Sequence, residues 1–305
     1  MSAGPRRRLL RLLLATLIVL GCVYLLSREG DNLASAVRRL SVGRMALSAV
    51  AAIAGTVCIE LLWFALLTGL GVRAGRRDAA EVFFVSQLGK YIPGSVWPVL
   101  AQVQLGVRWG APRRVMLGAN ILLLVVVTTT GILVGGVLLP WSSPDGLRRY
   151  WWLLAMLPPL LVLLHPRAVM ATINRLLEWA GRERLDARVS RSGMARALLW
   201  GVVAWILLGS HLLILMTAYG PIGPVEAVAA VGGMGLAWAA GLAFIPAPAG
   251  AGVREAVLVL TLGPFVGAAA ALAVALASRV LLLIADVALA GISVGLRRLF
   301  GVRAV

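Results

Sequence analysis

The sequence predicts an all-α, polytopic membrane protein, and three observations carry this prediction. Of the 305 residues, 61% are hydrophobic and 13% are charged, whereas a soluble domain carries about a quarter charged residues. Apolar runs of about 20 residues recur along the chain, and such a run forms a helix of ~30 Å that crosses the hydrocarbon core. The net charge is +17, but no long polar basic surface is available for nucleic acid. Residues 1–305 therefore read as one transmembrane domain.

Six apolar segments are predicted to span the membrane: 9–27, 46–70, 115–139, 150–164, 197–219 and 267–296. The first resembles a secretory signal, but its apolar run continues beyond Cys22, so an uncleaved helix is expected. Both cysteines, Cys22 and Cys58, lie in apolar stretches. Their position argues against a disulfide framework or a metal site.

Arginine placement predicts the orientation. Arginines precede the first span, follow the second, and follow the last. By the positive-inside rule, both termini are then cytoplasmic. Segment 165–196 is also rich in arginine, so it is predicted to be a cytoplasmic linker. The apolar spacing within it indicates an amphipathic helix at the interface; the residues concerned are Val169, Ile173, Leu176 and Leu177.

Two further apolar segments are interrupted. Segment 79–107 breaks at Pro93-Gly94, and each half gives about 20 Å of helix, too short to span. It is therefore predicted to be a re-entrant hairpin that enters from the cytoplasm. Segment 225–263 breaks within 246–252 and would enter from outside. Its first half is long enough to span, so an eight-span arrangement with Arg254 in a cytoplasmic loop stays open.

These hairpins expose an inverted repeat. Repeat one, about 46–139, and repeat two, about 197–296, both read span, hairpin, span, with opposite topology. The last span of each carries a small-xxx-small pair, Gly131/Gly135 and Gly291/Gly295, which permits close helix approach. Chance alone also produces such pairs in a chain with 34 glycines. Inverted repeats built on broken helices are typical of transporters, with the site near the midplane.

The first tip predicts an anion site. Pro93 and Gly94 break the helix and Ser95 is a candidate N-cap for the next one, whose amide groups would point at a ligand. Lys90, the only lysine of the chain, lies one turn back, beside Tyr91. A compact ammonium differs from the arginine used at every other basic position. The alternative is that Lys90 reaches the interface through its apolar stem.

The second tip is predicted to hold the same ligand. Gly250 and Gly252 allow close approach of the backbone. Arg254 could hold a phosphate through two hydrogen bonds, with Glu255 as its resting partner or as a proton carrier. A structural ion pair is the alternative, because buried charges usually pair.

Other charged residues at membrane depth are Glu60, Arg279 and Asp286. Such residues are costly in a membrane and are functional candidates by default. They are interpreted as an intramembrane charge network; the alternative is mutual neutralisation, with Arg254, as structural glue. No nucleophile–base pair is recognisable by spacing, so no catalytic residue, metal or cofactor is assigned.

At these tips the sequence resembles the lysylphosphatidylglycerol synthase/flippase transmembrane-region family, the membrane half of the multiple-peptide-resistance factor. The matching stretches are QLGKYIPGSVWP (87–98) and IPAPAGAGVRE (245–255). The resemblance implies translocation of a lipid headgroup between leaflets. The sequence has no segment for the aminoacyl-transferase domain of the full-length enzyme, so a stand-alone member that does not synthesise an aminoacylated lipid is expected.

The leading hypothesis is a plasma-membrane flippase for an anionic or polyprenyl-phosphate-linked lipid. A membrane enzyme or accessory subunit acting on lipid-linked sugars is the second hypothesis, with Glu60, Glu255 or Asp286 as general base. A third is a scaffold for a glycosyltransferase or lipid-synthesis partner. Nucleic acid is not expected as a partner, and a homodimer stays open.

Overall fold

The computed structural model describes residues 32–91, 97–179, 181, 183–243 and 250–299, without the side chain of Leu176. The described residues form helices and short connections and contain no strand, which confirms the all-α prediction. The predicted first span at 9–27 and the central residues of the two hairpin tips, 92–96 and 244–249, lie outside the described residues. Pro93, Gly94 and Ser95 therefore lie outside them as well.

The helices follow the predicted segments closely. A 3₁₀ turn, Leu88–Tyr91, continues the helix Arg76–Gln87 towards the first tip. The helices are α1 (32–38), α2 (Val42–Gly69), α3 (Arg76–Gln87), α4 (Trp97–Gly106), α5 (Arg113–Leu138), α6 (Gly146–Leu163), α7 (Pro166–Trp179), α8 (Arg191–Met216), α9 (Pro224–Ala243), α10 (Val253–Val266) and α11 (Ala268–Leu299).

Five of these helices, α2, α5, α8, α9 and α11, are long and apolar enough to cross a membrane. The protein is thus a multi-pass membrane protein. The predicted span at 150–164 becomes α6, which passes the same test only together with α7, bent from it by 90°. Helix α9, the first half of the second hairpin, has the length of a full span, as the eight-span alternative requires.

The longest interface joins α2 and α8, which run antiparallel. Gly69 lies against Gly193 at one end of the pair, and Ser48 Oγ donates to the carbonyl oxygen of His211 at the other, 2.8 Å away. Both helices have a serine N-cap: the hydroxyls of Ser41 and Ser190 accept hydrogen bonds from the backbone N–H groups three residues later. We call the end of the bundle where α8 begins the basic end, and the other the opposite end.

The two interrupted segments fold as antiparallel helix pairs. In the first, Gln102 Nε2 donates to Ser86 Oγ at 2.8 Å, joining α4 to α3. In the second, Gly241 on α9 lies under the Arg254 side chain of α10, and Gly233 lies under Thr261. Lys90 at the end of the first pair's leading helix and Arg254 at the start of α10 both line the same internal cavity.

The contacts among α2–α5 correspond to those among α8–α11. If α2, α3, α4 and α5 are exchanged with α8, α9, α10 and α11, each substantial contact has a counterpart; α3–α11, for example, corresponds to α5–α9. The exchange maps α2 onto α8, its antiparallel partner. Because α2 and its counterpart α8 run in opposite directions, the axis that relates the two sets of helices crosses the bundle and does not run along it.

The corresponding interfaces α3–α11 and α5–α9 differ in chemistry. Arg297 on α11 donates to both oxygens of Glu81 on α3, at 2.8 and 2.9 Å. Between α5 and α9, Gly131 faces Gly235 and Gly135 faces Gly232 across closely apposed backbones. The second small-residue pair, Gly291/Gly295, has no neighbour within 4 Å of a Cβ placed there, so the expected close helix approach does not occur at that pair among the described residues.

The linker between the two sets of helices differs from a helix lying freely at the interface. Helix α7 is amphipathic as predicted, but Val169, Ile173 and Leu177 are buried in the core of the protein. Residues 183–190 follow as an extended segment whose Leu185 and Val189 are buried too. The linker is therefore packed against the bundle at its basic end.

Candidate functional site

A cavity lies between the two sets of helices, with an empty volume of about 580 Å³ that includes its open mouth. It is lined by residues of α2, α3 with its 3₁₀ turn, α8, α9, α10 and α11. Asp286, on its wall, precedes Arg297 by three turns of α11, about 16 Å. The cavity thus lies well inside the bundle.

Most of the predicted charged residues meet in this cavity. The first tip contributes Lys90 and Tyr91, α10 contributes Arg254, and α11 contributes Arg279 and Asp286. These residues lie up to almost 200 positions apart in the sequence. The structure therefore brings the first tip, the second tip and the charges of the last helix together at one site.

Asp286 is held by two donors of the first tip. The Lys90 ammonium lies 2.6 Å from Asp286 Oδ2, and the Tyr91 hydroxyl donates to the same oxygen at 2.5 Å. The Asp286 side chain is 2% exposed, while that of Lys90 is 25% exposed. A carboxylate so deeply buried needs such partners, since an unpaired charge in an apolar interior is very costly.

Glu255 pairs with Arg279, and it also accepts a hydrogen bond from the N–H of Gly252 at 2.7 Å. The interpretation that Glu255 is the resting partner of Arg254 is therefore wrong. Residues adjacent in a helix point about 100° apart, so Glu255 turns towards α11 while Arg254 turns towards α9.

Arg254 lies against an aromatic ring. Its guanidinium carbon is 4.1 Å from the centroid of the Trp238 ring, a cation–π contact. Within the described ranges, no ion pair involves Arg254, and its buried Nε has no hydrogen-bond partner. The two pairs Lys90–Asp286 and Arg279–Glu255 cancel, so the site retains the positive charge of Arg254.

The glycines of the second tip shape the backbone and do not line the cavity. Gly250 has φ +69°, and a Cβ there would lie 2.7 Å from the Cα of Gly241. Gly252 has φ +82° and precedes the first residue of α10. Both positions favour glycine because other residues seldom adopt a positive φ.

Glu60 lies apart from the cavity residues. It is fully buried in α2, and both of its oxygens accept hydrogen bonds from Arg76 at the start of α3. The interpretation of Glu60 as a member of one network with Arg279 and Asp286 is thus replaced by a separate, bidentate ion pair. The sequence places Arg76 in a loop and gives no signal that it reaches back to α2.

Sequence reasoning missed Trp238, Thr56 and Gln87 in the cavity wall. Trp238 had a usable signal. If α9 and α10 form a hairpin that turns at 244–252, residues near 240 must lie opposite Arg254. Thr56 and Gln87 carry no comparable signal, because their exposure to the cavity depends on helix rotation.

The comparisons agree with this architecture. Among curated proteins, none matches the chain. A family model described as the lysylphosphatidylglycerol synthase TM region matches residues 10–290, which include every helix named above except the last turns of α11. The chain therefore belongs to the lysylphosphatidylglycerol synthase transmembrane-region family.

Proposed function

We propose that the protein is a flippase that moves an anionic or polyprenyl-phosphate-linked lipid between the leaflets of the plasma membrane. The observation that carries the proposal is Arg254, a cation without a carboxylate partner among the described residues, held on Trp238 beside an internal cavity. A guanidinium offers several donors in a planar array that suits a phosphate. The lipid phosphate would bind there while its acyl chains stay in the bilayer.

The family and the packing support this role. The family is one of membrane proteins connected with a lipid. The exchange of α2–α5 with α8–α11 supports two inverted repeats, because its axis crosses the bundle. In transporters of that architecture the substrate binds near the midplane, at the interface of the repeats. Here α3 and α11 supply most charges of the cavity, and they come from different repeats.

The contacts at the corresponding interfaces α3–α11 and α5–α9 support a choice of which interface separates when the cavity opens. At α3–α11, closure rests on ion pairs of Arg297 with Glu81 and of Lys90 with Asp286. Such pairs can exchange their partners for water or for a lipid phosphate. At α5–α9, closure rests on glycine backbones in contact, which offer no alternative partner. We therefore assign opening to α3–α11, with the basic end facing the cytoplasm by the positive-inside rule.

The enzyme alternative receives less support from the geometry. It requires a carboxylate that accepts a proton from a substrate. Glu60, Glu255 and Asp286 are each held in an ion pair with a basic side chain. We therefore do not adopt that alternative.

A transport assay tests the proposal. The purified protein is reconstituted into phosphatidylcholine liposomes that contain a trace of fluorescent phosphatidylglycerol, and a membrane-impermeant quencher reports exchange between leaflets. Wild type should accelerate exchange over protein-free liposomes. Arg254→Gln should slow it at least tenfold, because a hydrogen bond to a charged group contributes about 1.5–3 kcal/mol and ~1.4 kcal/mol is a factor of ten in rate.

The matched control is Arg298→Gln, the same change at an exposed arginine at the end of α11, which should leave exchange unchanged. If wild type exchanges fluorescent phosphatidylglycerol no faster than protein-free liposomes, and also fails to accelerate exchange of a fluorescent polyprenyl phosphate in the same assay, the flippase proposal is wrong. If wild type is active but Arg254→Gln is equally active, the assignment of the site is wrong.

A further inference from the structure

A second basic site lies at the basic end, outside the cavity. A groove of about 1310 Å³, including its open side, separates α7 from the extended segment 183–190. The segment is fixed in place by Asn174 of α7, whose Oδ1 accepts from the N–H of Leu185 at 2.9 Å. Leu185 also packs against Gly118 on α5. The groove is therefore a built feature of the fold and not a gap beside a free loop.

Three arginines and one carboxylate line this groove: Arg167, Arg188, Arg191 and Asp186. Among the described residues, none of the three arginines forms an ion pair, although the same face contains ion pairs of other arginines with Glu178 and Glu183. The neighbouring glutamates are thus engaged elsewhere. Counting Asp186, the groove has a formal charge of +2, and no other carboxylate of the described residues lines it.

The groove opens at the depth of lipid headgroups. Helix α6 packs along the spanning helix α5, through Leu153 and Leu157 on Gly136, and α7 turns from it by 90°. Helix α7 therefore lies in the plane of the membrane, where amphipathic helices meet the headgroup layer. Trp179 at its end is 94% exposed, in keeping with the aromatic residues that mark membrane interfaces.

We propose that this groove binds the phosphate headgroup of an anionic phospholipid. Three arginines can provide several charge-assisted hydrogen bonds to one phosphate, and basic pockets at the cytoplasmic side of transmembrane helices bind anionic headgroups. The site shares no lining residue with the cavity. Because α7 and the start of α8 form its walls, a bound lipid fastens the linker between the two sets of helices.

The proposal is tested on the full-length protein, delipidated in detergent. Every protein in the experiment carries Arg254→Gln, so that lipid held by the cavity does not contribute. Short-chain phosphatidylglycerol is titrated, and binding is counted by native mass spectrometry and followed by thermal stability, since a ligand that binds only the folded state raises Tm. Phosphatidylglycerol should bind and raise Tm. The triple variant Arg167→Gln/Arg188→Gln/Arg191→Gln should bind it at least tenfold more weakly.

The control double variant is Arg175→Gln/Arg196→Gln, which removes two exposed arginines of the same face that do not line the groove; it should bind like its parent. If the triple variant does not fold, Ala171→Glu, which places a carboxylate in the groove, should weaken binding in the same way.

Equal stabilisation by phosphatidylcholine would overturn the proposal, as would unchanged binding in the groove variants. Inorganic phosphate is the third ligand. If phosphate alone saturates the site and gives the same rise in Tm, the site binds soluble anions and the assignment to a lipid is wrong.

Discussion

The contact between α5 and α9 makes a quantitative prediction about a single added methyl group. A Cβ at Gly235 would lie 2.5 Å from the carbonyl oxygen of Gly131, whereas ordinary contacts of such atoms begin near 3.4 Å. The neighbour is backbone and cannot rotate away as a side chain can. Gly235→Ala must therefore move one helix by about 0.9 Å in an interior packed as densely as an organic crystal.

The expected cost can be separated from helix propensity. Overpacking of this kind costs about 1–3 kcal/mol, while alanine gains up to ~1 kcal/mol over glycine within a helix. Gly291→Ala on α11 is the matched control, because no atom of another described segment lies within 4 Å of the added group. The difference in free energy of unfolding between the two variants then isolates the steric cost at the α5–α9 contact.

The assay uses Cys58, which is buried and 6% exposed. On a Cys22→Ser background it is the sole thiol of the chain, so a thiol-reactive fluorophore reports unfolding as the protein is heated in detergent. Gly235→Ala should lower Tm by about 2–12 °C relative to Gly291→Ala, at the roughly 2–4 °C for each kcal/mol typical of domains of about 150–250 residues. Equal Tm values for the two variants would refute the close backbone contact.

Three further predictions concern the ion pair of Arg297 with Glu81, the half-buried Tyr91 and the thiol of Cys58. Arg297→Gln and Glu81→Gln should each lower Tm, and the double variant should cost less than their sum by about 0.5–3 kcal/mol; additive losses would mean that the pair does not contribute to stability. Tyr91→Phe removes a hydrogen bond to the buried carboxylate of Asp286 and should cost about 1.5–3 kcal/mol in thermal unfolding, whereas an unchanged Tm would show that water replaces the hydroxyl. Cys58 should resist maleimide in the folded protein and react fully in denaturant, and rapid labelling without denaturant would contradict its burial in α2.

The long helices were predictable because runs of about 20 apolar residues are favoured in the hydrocarbon core of a membrane. The predicted span 46–70 is α2 (Val42–Gly69) and 267–296 is α11 (Ala268–Leu299). The joint appearance of Lys90 and Asp286 at one site was partly predictable, since charges at membrane depth face the interior and seek partners.

The specific pairs were not predictable, because they depend on helix rotation and on register between distant segments. The sequence does not decide whether Glu255 pairs with Arg254 or with Arg279. The rotation of α10 about its axis places Glu255 against Arg279. The two small-xxx-small pairs are equivalent in sequence, yet Gly131 meets the backbone of α9, while no other described part of the chain lies within 4 Å of a Cβ placed at Gly291. A small-xxx-small motif makes a helix surface suitable for close packing, but the contact forms only where a second helix lies against that surface.

The single lysine of the chain has a practical consequence. The Lys90 amine lies in the cavity and shares Asp286 with Tyr91, and the rest of the sequence offers no other lysine side chain to an acylating reagent. Peptide mapping distinguishes acylation of Lys90 from acylation of the N-terminal amine, so the rate at Lys90 is a site-specific readout that requires no engineered label. A ligand that draws Asp286 away from the amine, or one that covers it, will register as a change in that rate on the native protein.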